Sequence, residues 1–300
     1  MKTSTGHSCR DGLATDIQVS ANTPTILDAS AFGKKLISAS ESPSLDCQLL
    51  LSFVLDKSKS WMLAHGDHPL THDEYAQLRA LLNRRASGEP VAYILGSQGF
   101  WDMELIVTPE TLIPRPETEL LVETILTGCT GVFHRVLDLG TGTGAIAIAL
   151  KRERPDWEVF ATDYSTGALQ VAKKNISEWA NGEINLLRGD WLTALSSQGF
   201  DLIVSNPPYI QSNDKHLTAL EFEPGSALVS QDQGLADLKK IITQSSRCLK
   251  QGGKLILEHG YNQQYSVVAM LRDNGYKNIT VYADTNHIPR AVMAAWSNHP

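Results

Sequence analysis

The chain has 300 residues, of which 42% are hydrophobic and 20% charged, with a formal net charge of -7. At roughly 100–200 residues per domain this length gives one large or two unequal domains, with enough apolar material for a full core. The acidic balance argues against direct nucleic-acid binding, whose affinity comes mostly from cation–phosphate contacts, and no run of ~18 apolar residues predicts a membrane span.

Residues 1–24 are polar and rich in Ser and Thr, lack the apolar stretch of a secretory signal, and carry Asp11 and Asp16. They read as a loose tail. Residues 25–87 read as a small helical domain. Ile26, Leu27, Ala31, Phe32 and Ile37 mark one helix, Ser42-Pro43-Ser44 breaks it, and Cys47–Leu55 is strongly apolar. Thr71 with Glu74 matches a capping box, after which Tyr75, Leu78, Leu81 and Leu82 share a helical face. Arg84 to Gly88 reads as a helix end. Residues 88–113 read as a linker, in which the strand formers of Val91–Val107 predict a β-hairpin.

Residues 114–300 form the second domain. From Val136 onward strand-like and helical runs alternate, with strands expected at Val136–Leu139, Val159–Thr162, Ile184–Arg188, Leu202–Ser205 and Lys254–Glu258. Such alternation predicts an α/β fold with a mostly parallel sheet covered on both faces. Cys9, Cys47, Cys129 and Cys248 form no Cys-x-x-Cys pair, and the nine histidines lack His-Glu-x-x-His spacing. A metal site or disulfide framework is therefore not expected, and a reducing cytoplasm fits.

The first expected strand runs into Asp138-Leu139-Gly140-Thr141-Gly142-Thr143-Gly144-Ala145. Glycines at such spacing let the backbone turn tightly and approach a ligand closely. Gly140-x-Gly142-x-x-Ala145 also satisfies the dinucleotide fingerprint, and Asp163, which ends the next strand, can accept from ribose hydroxyls of either cofactor class. Asp138 would suit a cationic amino-acid moiety. Asp190 can accept from an adenine amino group, and Trp191 can stack on its ring. This loop alone leaves NAD and S-adenosylmethionine both open.

The fourth expected strand ends at Asn206-Pro207-Pro208-Tyr209. Ligands of open α/β sheets bind outside the carboxyl ends of strands, so this segment belongs beside the glycine loop. Two prolines remove two N–H donors and leave carbonyls as the polar backbone groups. The Asn206 carboxamide oxygen and the Pro207 carbonyl can each take one hydrogen of an –NH2 group, and Tyr209 offers a face for a flat planar group. An amide or exocyclic amino nitrogen is a weak nucleophile. Orienting it, and stabilising the charge that develops on it, is what a methyl transfer needs from a protein. The tetrapeptide thus tips the balance toward S-adenosylmethionine.

The sequence resembles the peptide chain release factor glutamine methyltransferases of the HemK/PrmC type. The resemblance runs from about Thr25 to the end through Asp46–Leu51, Gly88–Ile94, Phe100, Leu112-Ile113-Pro114-Arg115-Pro116-Glu117-Thr118-Glu119 and the Asn206 tetrapeptide. It implies a Rossmann-like class I methyltransferase domain preceded by a substrate-recognition domain. It also implies S-adenosyl-L-methionine as donor, with S-adenosyl-L-homocysteine as product, and the glutamine of a Gly-Gly-Gln loop in class 1 release factors as acceptor. By the same resemblance Gly140 to Gly144, Asp163, Trp191 and Asn206 bind the cofactor, to which the residue reading above adds Asp138 and Asp190. Asn206 to Tyr209 grip the glutamine, and Phe100, Pro114, Arg115 and Pro116 border the pocket. The chain departs from the family's usual pattern at Glu223-Pro224-Gly225, at Ser230–Leu235 and across Asp284–Arg290. Two other readings use the same residues: a nucleic-acid amino-methyltransferase, which needs a basic track beside its site, and an NAD-dependent oxidoreductase.

Overall fold

A computed structural model describes residues 23–129, 135–193, 195 and 199–297. Most of the expected loose tail lies outside the described residues, as does Cys9. The chain divides into two compact units, 1–87 and 88–300.

The described part of the first unit is helical: Ile26–Leu36, Pro43–Leu55, Lys59–Ala64 and His72–Ala86. The capping box at Thr71 is present, with the Thr71 hydroxyl accepting from Glu74 N–H at 3.2 Å and the Glu74 carboxylate accepting from Thr71 N–H at 2.7 Å. Thr25 and Asp28 form a second one. Pro43 stands in the first turn of its helix, where a missing N–H costs nothing. Gly33 lets the first two helices close together, since a Cβ there would stand 2.4 Å from Cys47 Sγ. Leu50, Leu51, Leu78 and Leu82 are buried in this unit. On the helix Pro43–Leu55, Leu45, Leu49 and Phe53, four residues apart, are 52%, 40% and 49% exposed and form an uncovered apolar stripe.

The second unit begins with a correction. Val91–Leu95 is a short helix, started after Pro90 and ended by Gly96 in the left-handed region; only the following residues form the hairpin, β1 (Ser97–Phe100) and β2 (Met103–Ile106). A seven-stranded sheet follows: β3 (Arg135–Leu139), β4 (Glu158–Asp163), β5 (Ile184–Arg188), β6 (Phe200–Ser205), β7 (Leu249–Glu258), β8 (Lys277–Ala283) and β9 (Pro289–Ala295). The spatial order is β5-β4-β3-β6-β7-β9-β8. β3 to β7 are mutually parallel, and β9 is antiparallel to both of its neighbours. The last two strands are absent from the sequence expectations: β8 is a largely exposed edge and gives little burial signal.

Alternate residues of the central strands feed two cores. Val136, Val159, Leu202 and Ile256 pack under helices Glu119–Gly128, Ala145–Glu153 and Thr166–Trp179. Leu137, Leu139, Ile203 and Leu255 pack under Ala236–Ser245 and Gln264–Asp273. Strands buried on both faces read as continuous apolar runs, which is why they were legible in the sequence. The order of strands reverses between β3 and β6, and a crevice at such a switch point is where this architecture binds ligands.

Candidate active site

The register fixes what meets at that crevice. Leu139 pairs with Thr162 on one side and Ser205 on the other, and Ser205 pairs with Leu257. The residues that follow at the carboxyl edge are therefore Gly140, Asp163, Asn206 and Glu258, side by side on four neighbouring strands.

A cavity of about 400 Å³ lies here, lined among others by Gly140, Gly142, Asp163, Asp190, Trp191 and Asn206. That volume falls within the ~300–1,000 Å³ range of small-molecule sites. Gly140, Gly142 and Gly144 all have positive φ (69°, 55° and 87°). Nothing stands within 4 Å of a Cβ built on Gly142, so the backbone itself faces the opening. Asp163 steadies this loop, with its two carboxylate oxygens accepting from Gly142 N–H and Ser165 N–H at 2.9 Å each. Each oxygen keeps a second lone pair for a ligand hydroxyl. Burial pushes the Asp163 carboxyl above its ordinary range, against those backbone N–H groups. Trp191 stands over Gly140, where a Cβ would come 3.2 Å from its ring, and its Nε1–H donates to Asp237 at 3.0 Å. Asp190 pairs with Lys240 at 2.7 Å.

Asp138, expected to face a cationic group, does not line the cavity. It is 1% exposed beneath the loop and accepts from the Thr141 hydroxyl at 2.6 Å, while burial pushes its carboxyl up to about 7. Through Oδ2 it supports the loop from below. Thr141, Thr143 and Gly144 likewise support the turn without lining the cavity; Asn175 Nδ2 donates to the Thr143 carbonyl at 2.9 Å.

A second cavity of about 300 Å³ is lined by Arg115, Asn206, Pro207, Tyr209 and Leu228 with their neighbours. The two cavities share Asn206, Leu112 and Ala227, so Asn206 stands where they meet. Pro208 lines the first, Pro207 and Tyr209 the second. Arg115 ion-pairs with buried Glu223, whose other oxygen accepts from Ile113 N–H at 3.0 Å. The Glu223 of the departing Glu-Pro-Gly segment thus pins the Pro114–Pro116 run to the site. Pro114 and Pro116 shape that run without lining either cavity. Phe100 is a further correction: it is 1% exposed in the core with Leu105 and Leu121, because its strand position turns it inward.

Several residues of the site went unnoticed in the sequence. Asn206 Nδ2 donates to the Thr118 hydroxyl at 3.0 Å. Thr118 and Tyr209 donate to the two oxygens of Glu258 at 2.8 and 3.0 Å. Gln263 Nε2 donates to the Tyr209 carbonyl at 3.0 Å. Gly234 packs so closely on that carbonyl that a Cβ would sit 2.1 Å away, and Asp232 and Gln233 before it also have positive φ. The Ser230–Leu235 departure is therefore a tight brace behind the tetrapeptide. A readable signal existed for Glu258, a carboxylate ending the apolar run Leu255-Ile256-Leu257 at the edge where ligands bind. Among the described residues no group of three or more His, Cys, Asp or Glu side chains could hold a metal ion. No described helix is long and apolar enough to cross a membrane.

Sheet order, glycine turn and paired cavities define a Rossmann-like class I methyltransferase. The solved methyltransferase from Pyrococcus furiosus shares this fold, with a TM-score of 0.52 at 18% identity over 74% of this chain and 98% of that one. Residues 116–223 match the methyltransferase small domain and residues 28–96 the PrmC N-terminal domain. The release factor glutamine methyltransferase of Salmonella typhimurium is 47% identical over 82% of this chain and 89% of its own length. That of Escherichia coli is 44% identical over 87% and 95%. The chain belongs to the release factor glutamine methyltransferase family, which sets the oxidoreductase alternative aside.

Proposed function

We propose that the protein transfers a methyl group from S-adenosyl-L-methionine to the side-chain nitrogen of the glutamine in the Gly-Gly-Gln loop of class 1 peptide chain release factors, a modification of the translation termination machinery in the cytoplasm. The observation that carries this reading is the pair of cavities meeting at Asn206, one suited to a nucleoside with an amino-acid tail and the other to a small planar amide. S-adenosyl-L-methionine supplies the methyl group on a sulfonium sulfur and becomes S-adenosyl-L-homocysteine. The Gly140–Gly144 turn would hold it, with Asp163 accepting from ribose hydroxyls, Trp191 against the adenine and Asp190 near its amino group.

On the acceptor side, Asn206 Oδ1 and the Pro207 carbonyl accept the two amide hydrogens and aim the nitrogen lone pair at the first cavity. These acceptors also stabilise the positive charge that grows on nitrogen, a contribution realised mainly in the transition state. Tyr209 presents its ring to the amide plane, and Arg115 closes the far wall. No base is needed before the transfer; the proton leaves the nitrogen afterwards.

A glutamine side chain offers little area for specificity, whereas specific protein contacts bury about 800 Å² per partner. The helical unit, with its Leu45, Leu49 and Phe53 stripe, supplies a second docking surface in this reading. The direct test incubates the protein with labelled methyl donor and purified release factor, then locates the label by mass spectrometry. Label on the Gly-Gly-Gln glutamine supports the reading; label on RNA or DNA alone supports the nucleic-acid alternative.

A further inference from the structure

Glu258 lines neither cavity, yet both proposed acceptor-binding side chains hang from it. It is 2% exposed at the carboxyl end of β7. One oxygen accepts from Thr118 and the other from Tyr209. Thr118 has one hydroxyl proton. While that proton goes to the carboxylate, the Thr118 lone pair must face Asn206, so Asn206 turns Nδ2 toward Thr118 and leaves Oδ1 on the other side.

We propose that Glu258 is a positioning residue of the methyl transfer: its carboxylate sets the direction of the Asn206–Thr118 hydrogen-bond chain, and so makes Asn206 present an acceptor oxygen to the glutamine nitrogen. The proposal rests on the reading of Asn206 as the group that orients the acceptor. A proton on the Glu258 oxygen facing Thr118 reverses the chain. The acid then donates to Thr118, Thr118 donates to Asn206 Oδ1, and the Asn206 –NH2 faces the substrate –NH2 with no acceptor between them. The ionised carboxylate also places negative charge two hydrogen bonds behind Asn206, and so three behind the nitrogen that becomes positive, in a water-poor site where such charge counts most.

The charged surroundings give this arrangement a pH signature. Burial pushes Glu258 up to about 7, the Thr118 and Tyr209 hydroxyls and Arg290 on β9 pull it down, and Glu117 pushes it up. Burial pushes the adjoining His259 down, toward the neutral form, with its Nδ1 against the Gly260 carbonyl. Tyr209 is raised by burial and by Glu258, so it stays a donor, although Arg290 and Arg115 oppose that shift. A carboxyl needed in its charged form is lost as pH falls through its folded value, so turnover should fall on the acid side of about 7.

The test is single-turnover methylation of release factor and of a Gly-Gly-Gln peptide between about pH 6 and 9, for wild type, Glu258→Gln, Thr118→Val and Thr118→Ser. Donor binding is followed by calorimetry and folding by thermal melts. The wild-type rate should rise through one ionisation and level off. Glu258→Gln should lose roughly 10²-fold in rate, the scale of one misplaced electrostatic group, and lose the rise, with donor affinity changed by less than about threefold. Thr118→Ser should keep the wild-type profile, and Thr118→Val should not. A flat wild-type profile overturns the proposal, as does Thr118→Val matching Thr118→Ser, and both readouts stand even if Glu258→Gln does not fold. A folded Glu258→Gln that keeps rate and slope overturns it too. If wild type methylates no glutamine at any pH, the reading of the enzyme itself falls, and this inference with it.

Discussion

The two units of this chain use polar residues in opposite ways. In the helical unit they sit at the surface and end helices: Thr25, Ser58 and Thr71 all accept from backbone N–H groups of the first turn. Its one buried charge among the described residues, Asp46, is met by Ser40, Ser42 and Arg85. In the sheet unit the buried carboxylates Asp138, Glu223 and Glu258, with Thr118, lie behind the cavities at the carboxyl edge. Burying a polar group costs free energy unless it is paired, so a fold retains such groups where they have work to do. The apolar pattern reverses as well. The sheet unit buries both faces of its central strands, while the helical unit leaves Leu45, Leu49 and Phe53 uncovered. In the proposed reading chemistry belongs to one unit and recognition to the other.

The largest expected effect breaks the comparison at the carboxyl edge. Asn206→Ala removes the acceptor at the meeting point of the two cavities and should cost ~10²–10³ in turnover, about 3–4 kcal/mol, on release factor and on peptide alike. Rates measured at saturating donor check this. Turnover within a few fold of wild type would show that orientation comes from elsewhere.

Asp163→Ala follows. A hydrogen bond to a charged group contributes about 1.5–3 kcal/mol, and this carboxylate also steadies Gly142 and Ser165. Donor affinity should weaken by that amount in calorimetry, with the helical unit unaffected. An unchanged dissociation constant removes Asp163 from the binding site.

What the sequence disclosed follows the same division. The Gly140 turn, Asp163 and the Asn206 tetrapeptide were legible because each is one contiguous segment whose composition has a mechanical reason. The inner parallel strands were legible because burial on both faces leaves an apolar run, and the largely exposed edge strand β5 by its place in the strand–helix alternation. Thr118, Gln263 and Gly234 were not, since each acts on the tetrapeptide from a segment distant in sequence; Glu258 carried a positional signal at the end of its apolar run, but not its partners. Thr118 lies 140 residues from Glu258, and only strand register brings that carboxylate beside Asn206. Asp138 and Phe100 were misplaced because sequence position gives the strand but not which way a side chain turns. The short helix Val91–Leu95 was misread as strand because five apolar residues carry no decisive period; Pro90 and Gly96 settle it by bounding the segment.

A smaller effect sharpens the contrast between units. Leu49→Glu puts a charge in the middle of the exposed stripe without disturbing a core, since Leu49 is 40% exposed. If release factor docks there, kcat/KM for intact release factor should fall about tenfold, or ~1.4 kcal/mol, while the Gly-Gly-Gln peptide is methylated as before. Equal values for both proteins on both substrates would leave the stripe without a role in recognition.

The smallest effect separates recognition from mere folding of the helical unit. Thr71→Ala removes the hydroxyl that accepts Glu74 N–H and breaks the reciprocal box at the start of His72–Ala86. Loss of such a cap typically costs ~1 kcal/mol of stability. That helix supplies buried Leu78 and Leu82 to the unit's core, so the loss should appear as a lower melting temperature or faster hydrogen exchange confined to residues 25–87. At a temperature where the unit remains folded, catalysis should be untouched on both peptide and release factor, because Thr71 is a helix cap distant in function from the Asn206 edge. The pairing with Leu49→Glu is what makes the result informative. A stability loss with intact recognition in one variant, and intact stability with lost recognition in the other, would assign the two properties to different parts of the same unit. If Thr71→Ala instead lowered methylation of release factor as much as Leu49→Glu does, recognition would depend on the rigidity of the whole unit and not on its exposed apolar stripe.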